Sequence, residues 1–416
     1  MKYFKTDGNR MNGNEIIFSL IPLKLGRLLG NHSKKVCIGY DTRISSSEIF
    51  DLLVTGLITR GCDVISLGVC PTSVVGSITK EENCDYGIMI TASHNPYFDN
   101  GIKVFSSNGE KLTSLEEREL DSILDQNIVF NQVSKLGKVE NKEELVSRYI
   151  LYLRNLLKDN KDIKVLFDVS NGVQSEIIEK VVKDKINYKI INNTPNGKNF
   201  NLNVGSEHID CLVNNMDESF TYGVSFDGDA DRVVIVNQNK EIITGEDLLL
   251  LFSKEYNYSS IVTTKMSNIG LIEELNRNNK KVFISNVGDK NVYRMMKDEN
   301  VLLGGESSGH IIFLNSLYKN DGLFTFIKYL NLENKEINYN KYFTKTRNFL
   351  VENKDLNSNV LLKIENRIND ILNEKGRVYI RLSGTENYLR VNIQLKNKNE
   401  ELKVDNLLEE YLKDVL

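Results

Sequence analysis

Over the first ninety positions, apolar residues alternate between two rhythms. Short apolar runs predict strands over 35–41 (KVCIGYD), 62–69 and 86–91 (YGIMIT). Apolar residues at helical spacing predict helices over 45–60, which opens on three serines, and 72–83. Helices lying between strands imply right-handed crossovers and a largely parallel sheet. The rhythm then restarts, with a helix over 141–157, a strand at 164–168, a helix across 173–183 and the strand YGVSF at 222–226. A third round runs from a helix at 246–256 through the strands SIVTT and KVFISNV to a helix near 320–332. The tail reads differently: a strand near 348–352, a helix over 359–373, the strands RVYIRL and LRVNIQL, and a final helix over 400–415. The expected class is α/β, with three mixed α/β domains at 1–140, 141–238 and 239–343 and a smaller α+β domain at 344–416.

Composition narrows the function classes. Lys and Arg total 53 against 57 Asp and Glu, a net charge of −4, so no basic excess exists for nucleic acid. No apolar run approaches the ~18–20 residues that span a bilayer. The opening MKYFKTDGNRMNGNE turns polar at once, unlike a secretion signal. The five cysteines (Cys37, Cys62, Cys70, Cys84 and Cys211) form no CxxC pair. Buried free thiols in a reducing cytoplasm are expected, rather than a disulfide scaffold or structural zinc.

Four loops carry candidate chemistry. The first, Thr91-Ala92-Ser93-His94-Asn95-Pro96, follows the strand YGIMIT and so sits at a sheet's carboxyl edge, where α/β folds bind ligands. Ser93 beside His94 suits a nucleophile with local acid/base help, or else a turn whose Ser and Asn cap the next element. A Ser-His-Asp hydrolase fits poorly. Ser93 has no flanking glycines, and the G-x-S-x-G match at 305–309 leads into the strand-like IIF instead of a helix.

The second loop, Asp227-Gly228-Asp229-Ala230-Asp231-Arg232, lies between the apolar runs YGVSF and VVIV. Three carboxylates on a short turn repel, at roughly 1 kcal/mol per pair near 4 Å in water and about 4 at an effective dielectric of 20. A divalent cation resolves that repulsion, and hard oxygen ligands suit Mg²⁺. An EF-hand is excluded, because its Gly and Glu positions hold Arg232 and Gln238. A plain solvated acidic turn is the alternative.

The third loop, Gly304-Gly305-Glu306-Ser307-Ser308-Gly309-His310, offers donors and acceptors for sugar hydroxyls, though a Gly-rich β-turn explains it equally well. The fourth, Arg381-Leu382-Ser383-Gly384-Thr385-Glu386-Asn387 with Arg390 on the next strand, has the guanidinium forks, hydroxyls and Gly amides of a phosphate cradle. An ordinary hairpin with surface arginines is the alternative. Each loop falls in a different unit of the rhythm.

Together these motifs resemble the α-D-phosphohexomutase superfamily, and most closely its phosphoglucosamine mutase branch. The resemblance is carried by KTDGNR, DTR at 41–43, TASHNPYFDNGIKVF, DGDADR, VGDK at 287–290, GGESSGH and RLSGTE, in the family's order along the whole chain. The chain departs from the usual pattern at Lys5, Asn9, Met11, Tyr40 and Asn387.

The resemblance implies a heart-shaped, four-domain enzyme, an intramolecular phosphotransferase interconverting hexosamine 6-phosphate and 1-phosphate in amino-sugar biosynthesis. A phosphoserine at Ser93 and a bisphosphate intermediate that turns end over end would carry the reaction. One Mg²⁺ per chain would be held by Asp227, Asp229, Asp231 and the Ser93 phosphate. Arg10, Arg232 and His94 would stabilise transferring oxygens, and Lys103 would move the sugar-hydroxyl proton, unless it is only an exposed lysine. Glu306, Ser308 and His310 would bind the sugar, and Arg381, Ser383, Gly384, Thr385 and Arg390 the phosphate. The expected partner is a small phosphosugar, with a hexose bisphosphate as activator, and the expected state is a cytoplasmic monomer or homodimer. Phosphomannomutase/phosphoglucomutase is the alternative activity, and a Mg²⁺-dependent sugar phosphatase a more distant one.

Overall fold

The structure, a computed structural model, describes residues 4–5, 8–124, 135–351, 358–382 and 388–413. The chain divides into two compact units, Met1–Leu248 with Ser308–Glu333, and Leu249–Ser307 with Asn334–Leu416.

The first unit holds a seven-stranded sheet in the order Phe4–Lys5, Gly8–Asn12, Asp99–Ser106, Tyr86–Ile90, Lys35–Tyr40, Asp63–Val69, Val139–Asn141. The last four strands run parallel. The first three joins are antiparallel, so the sheet is mixed where a largely parallel one was expected. The reason is chain length. Segment 91–98 is too short for the dozen or more residues of a crossover, so Asp99–Ser106 must return beside Tyr86–Ile90 as a hairpin. That return places Ser93 in the turn and Lys103 on the neighbouring strand.

Helices Ile21–Gly30 and Ser46–Ile58 cover this sheet and bury Leu25, Leu29, Leu53 and Leu57. They cross glycine against glycine. A Cβ on Gly26 would lie 2.3 Å from the Leu53 carbonyl oxygen, and one on Gly56 2.4 Å from that of Leu23. Either would force the helices apart. Cys37, Cys62, Cys70 and Cys84 are buried and all five cysteines are free thiols.

A second sheet of the same unit orders Ile242–Ile243, Val233–Asn237, Tyr222–Phe226, Lys164–Asp168 and Asn187–Ile191. Two expected helices are shorter than the pattern suggested. The one over 141–157 begins only at Val146, because Val139–Asn141 pairs as an edge strand with Asp63–Val69. The one over 173–183 breaks into a 3₁₀ turn, Val173–Glu176, and a short helix, Ile178–Val182. The Val173 amide is spent on the Gly228 carbonyl (2.9 Å), which ties that turn to the acidic loop.

In the second unit, Lys281–Ser285, Ser260–Thr264 and Leu303–Gly305 lie parallel, side by side. Strands Phe343–Leu350, Tyr388–Leu395 and Gly376–Leu382 form an antiparallel sheet. Helices Ser358–Leu372 and Glu401–Leu412 pack on it through Ile368, Leu372, Val404 and Leu408. The strand expected near 348–352 starts earlier, at Phe343, and residue 352 lies outside the described residues. The early start was masked by charge: Lys345 bonds Glu401 and Asp405 (2.5 and 3.1 Å), and Arg347 bonds Asp405 (3.0 Å).

Candidate active site

Ser93 lies just beyond the carboxyl end of Tyr86–Ile90 and is buried. Its φ of 52° is left-handed, a conformation costing a non-glycine residue about 1–3 kcal/mol unless its surroundings impose it. Here they do. The Ser93 carbonyl accepts from Arg43 Nη2 and from Asn201 Nδ2, each at 2.9 Å. The Ser93 amide donates to Thr91 Oγ1 (2.9 Å), and Arg43 Nη2 also reaches the Asn95 carbonyl (2.6 Å). Arg43 is itself fixed, paired with Asp41 and stacked 3.9 Å from the Phe200 ring centroid. Arg10 adds bonds from Nη1 to the Ala92 carbonyl (3.3 Å) and Asn95 Oδ1 (3.4 Å).

With its backbone locked, Ser93 donates from Oγ to Asp227 Oδ2 at 2.8 Å, across 134 residues of chain. Asp227 opens the loop between the paired strands Tyr222–Phe226 and Val233–Asn237, whose ends meet at Phe226 and Val233. Asp227, Asp229 and Asp231 are all buried, each with a carboxylate oxygen within 4.8 Å of the others. The solvated-turn alternative is thereby removed.

The three carboxylates are not equivalent. Burial, then the charges of Asp231 and Asp229, push Asp227 well above the usual carboxylate range. Burial also works against Asp229, but the Lys103 ammonium and the Thr72 hydroxyl (2.6 Å) hold it below that range. Asp231 opposes burial with Lys103 and His310, whose Nε2 lies 2.9 Å away, and sits well below it. Asp229 Oδ1 is buried without a hydrogen-bond partner. An orphaned buried oxygen and one carboxylate whose charge its neighbours oppose are what a divalent oxygen-ligated cation would satisfy.

Lys103 is only 2% exposed, which disposes of the surface-lysine alternative. Its Nζ bonds Asp229 Oδ2 (2.8 Å) and Asp231 Oδ2 (3.3 Å). Arg232 lies 3.9 Å from Asp227 through Nε and pairs with Glu207. Burial, then the positive charges of Arg232 and Arg10, push the His94 imidazole down to about 2, so it is neutral at physiological pH. Ser308 Oγ lies 3.5 Å from His310 Nδ1.

In the second unit, the buried Glu306 carboxylate accepts from the Gly288 amide at 2.8 Å, just before helix Asp289–Asp298. This links the VGDK motif to the GGESSGH loop. Arg381 and Arg390 stand directly opposite each other on paired strands. Like charges in that position repel, and burial followed by Arg390 lowers Arg381 from its usual value. Arg381 Nε is buried with no partner, an arrangement an anion would settle. Ser383, Gly384 and Thr385 lie outside the described residues.

Sequence reasoning assigned no role to Arg43, although it stands in the quoted DTR motif, or to Asn201 and Thr72. Nothing local marks Asn201, whose partner lies 108 residues away.

A serine locked at a sheet edge, bonded into a buried acidic cluster and flanked by two arginines, suits phosphoryl transfer. The four phosphoglucomutase/phosphomannomutase domain models match in order: α/β/α domains I, II and III over residues 1–128, 147–240 and 244–343, and the C-terminal domain over 346–409. The chain belongs to the phosphoglucomutase/phosphomannomutase family, with mixed α/β sheets in three domains and a smaller fourth.

Among curated relatives, the phosphoglucosamine mutase of Aliarcobacter butzleri is 35% identical, with 96% of each chain covered. That of Campylobacter jejuni is 34% identical over 100% of this chain and 98% of its own. A phosphoglucomutase/phosphomannomutase family structure from Burkholderia thailandensis superposes with a TM-score of 0.80 at 19% identity, covering 99% of this chain and 97% of the other. Aspergillus fumigatus N-acetylphosphoglucosamine mutase, solved with GlcNAc-6P and magnesium, gives 0.68 at 14% identity, covering 99% and 96%.

The protein is therefore an isomerase acting by phosphoryl transfer on a phosphosugar, in a metal-dependent family, with a buried acidic cluster able to hold an ion. Among the described residues, no helix is long and apolar enough to cross a membrane.

Proposed function

We propose that the chain interconverts glucosamine 6-phosphate and glucosamine 1-phosphate through a phosphorylated Ser93 and a glucosamine 1,6-bisphosphate intermediate. The single observation that carries this reading is the Ser93 Oγ bond to Asp227, which sets the nucleophile against the acidic cluster. Asp227, Asp229, Asp231 and the Ser93 phosphate would hold one Mg²⁺. Bound there, that ion supplies charge neutralisation for the phosphoryl group.

The chain's own residues divide the remaining work. In the first half-reaction the phosphoryl group leaves Ser93 Oγ for the free hydroxyl of the monophosphate, giving the bisphosphate and a free serine. After the intermediate reorients, Ser93 Oγ takes the other phosphoryl group, and the isomeric monophosphate leaves. Arg10 and Arg232 face the transferring oxygens with fixed positive charge. His94, neutral, can donate a hydrogen bond without adding charge. Lys103, held as an ammonium against the acidic loop, would act as the general acid/base at the sugar oxygen, and the hydroxyl's proton ends on Ser93 Oγ as the phosphoryl group leaves it. Glu306, Ser308 and His310 would read the sugar hydroxyls, and Arg381, Ser383, Gly384, Thr385 and Arg390 would grip the phosphate that is not reacting.

The four domains are taken as 1–140, 141–238, 239–343 and 344–416. The enzyme would work in the cytoplasm, as a monomer or homodimer, with a hexose bisphosphate as activator.

The phosphate cradle makes a prediction of its own. Arg381→Ala removes one guanidinium fork and should raise KM for the sugar phosphate about tenfold, while releasing detectable bisphosphate during turnover. Initial rates and product analysis check it. An unchanged KM with no escape of intermediate contradicts the placement.

Sugar choice rests on the curated relatives, since glucose, mannose and glucosamine share the hydroxyls at C3 and C4. With a bisphosphate activator present, kcat/KM for glucosamine 6-phosphate should exceed that for glucose 6-phosphate and mannose 6-phosphate by at least ~10-fold, roughly 1.4 kcal/mol of differential transition-state binding. Equal or reversed preference moves the chain to phosphomannomutase/phosphoglucomutase activity. Stoichiometric release of free phosphate moves it to a phosphatase.

A further inference from the structure

Asp321 is a buried carboxylate that the reaction scheme leaves without a task. It sits 1% exposed at the start of helix Gly322–Leu330 and gathers three donors from three separate helices. Phe324 N, in its own helix, donates to Oδ1 at 2.7 Å. Tyr149 Oη, from helix Val146–Leu156, donates to Oδ1 at 3.1 Å. Ser73 Oγ, from helix Thr72–Glu81, donates to Oδ2 at 2.5 Å. Residues 73, 149 and 321 belong to three different family domains. All three lie within one compact unit.

The chain neighbours of two of these residues are bonded to the acidic loop. Thr72, next to Ser73, donates its amide to the Asp229 carbonyl (3.2 Å) and its hydroxyl to Asp229 Oδ2 (2.6 Å). Gly322, next to Asp321, donates its amide to the Ala230 carbonyl (2.9 Å). That contact depends on glycine, since a Cβ there would lie 2.5 Å from the Arg232 carbonyl oxygen. Ala230 is itself left-handed, at φ 62°. Two consecutive carbonyls of the loop are thus held by two helix starts, and the Ser73–Asp321 bond ties those helix starts together.

We propose that Asp321 is a positioning residue for the metal loop: by joining the starts of helices Thr72–Glu81 and Gly322–Leu330 it fixes the spacing of Asp227, Asp229 and Asp231 before any ion binds. The proposal rests on the metal-site reading above. Ser73 and Tyr149 serve as the donors through which Asp321 acts. The proposed reaction gives none of the three a role toward substrate, so their loss should appear first in metal affinity. Preorganised ligands bind a cation without the cost of being ordered by it.

The test is Mn²⁺ binding to metal-free protein, followed by electron paramagnetic resonance of the free ion, beside melting temperature and steady-state KM. The wild type should bind one Mn²⁺. Ser73→Ala combined with Tyr149→Phe should weaken that binding at least fivefold, with KM for the sugar phosphate changed less than twofold. Asp321→Asn can still accept from Phe324 and Tyr149 and can donate to Ser73, so it should stay within about twofold of wild type, whereas Asp321→Ala should match or exceed the double variant. If Asp321→Ala does not fold, the Ser73 and Tyr149 variants decide. A folded double variant with wild-type Mn²⁺ affinity and only a lower melting temperature overturns the proposal, leaving Asp321 a structural staple. Failure of the wild type to bind Mn²⁺ overturns the metal-site reading, and this inference with it.

Discussion

Ser93→Ala should lower turnover by at least ~10³-fold and remove all phosphate incorporation at this position. The expectation follows from the site's construction. Arg43, Asn201 and Thr91 spend their hydrogen bonds on the Ser93 backbone and leave Oγ aimed at Asp227. Removing one oxygen leaves that scaffold intact, so the variant should fold, keep its melting temperature and still bind sugar phosphate. Intact-mass and peptide analysis of active wild-type protein should find a monophosphorylated fraction on Ser93. Full activity in the alanine variant would sink the phosphoserine mechanism.

The second large effect is a divergence between stability and activity in the acidic loop. Asp227→Asn can keep its oxygen on the Arg232 amide and donate from its nitrogen to Ser93 Oγ, while it removes a charge that burial and two neighbouring carboxylates already oppose. At neutral pH the metal-free variant should therefore melt a few degrees higher than wild type. Activity should nevertheless fall at least ~10²-fold, and the stabilisation that Mg²⁺ gives the wild type should vanish. The sign is set by Asp227 being raised: stability is lost as pH rises from the unfolded value of this carboxyl to its higher folded value, and the penalty is constant above that. Asp229→Asn and Asp231→Asn should lose activity comparably but gain no stability, because both carboxylates are held down by Lys103. Losses in the double and triple variants should be far from additive, since the three ligands serve one ion. Differential scanning calorimetry with and without Mg²⁺, run beside kinetics, separates these outcomes. Three fully active single variants in chelator would reduce the loop to a turn.

Much of the architecture could be read from the chain because burial on both faces makes parallel strands continuous apolar runs. KVCIGY and YGIMI lie where their composition puts them. The strand Asp99–Ser106 was not legible. Its Asn-Gly opening reads as a turn, and Lys103 in its middle reads as a solvent face. In the fold that lysine points to carboxylates 126 and 128 residues away. Such a pairing leaves no local trace. For the same reason the acidic loop could be recognised by its repeated aspartates, whereas the clamp on Ser93 could not. Arg43 is legible only as part of a family motif, and Asn201 sits in an asparagine-rich segment where no single asparagine stands out. With that strand unread, the sheet's change from parallel to antiparallel was hidden too, although the strand once placed must return antiparallel because no crossover fits between 90 and 99.

The left-handed backbone at Ser93 has one further consequence, for which hydroxyls this position can accept. Threonine carries the same nucleophilic oxygen, and elsewhere the two residues interchange readily. At φ 52°, however, a β-branched side chain crowds its own carbonyl, which Arg43 and Asn201 hold in place. The residues that tolerate this conformation best, glycine and asparagine, carry no hydroxyl. Drift at codon 93 is thus closed on both sides: conformationally easy replacements end the chemistry, and the chemically conservative one strains the loop.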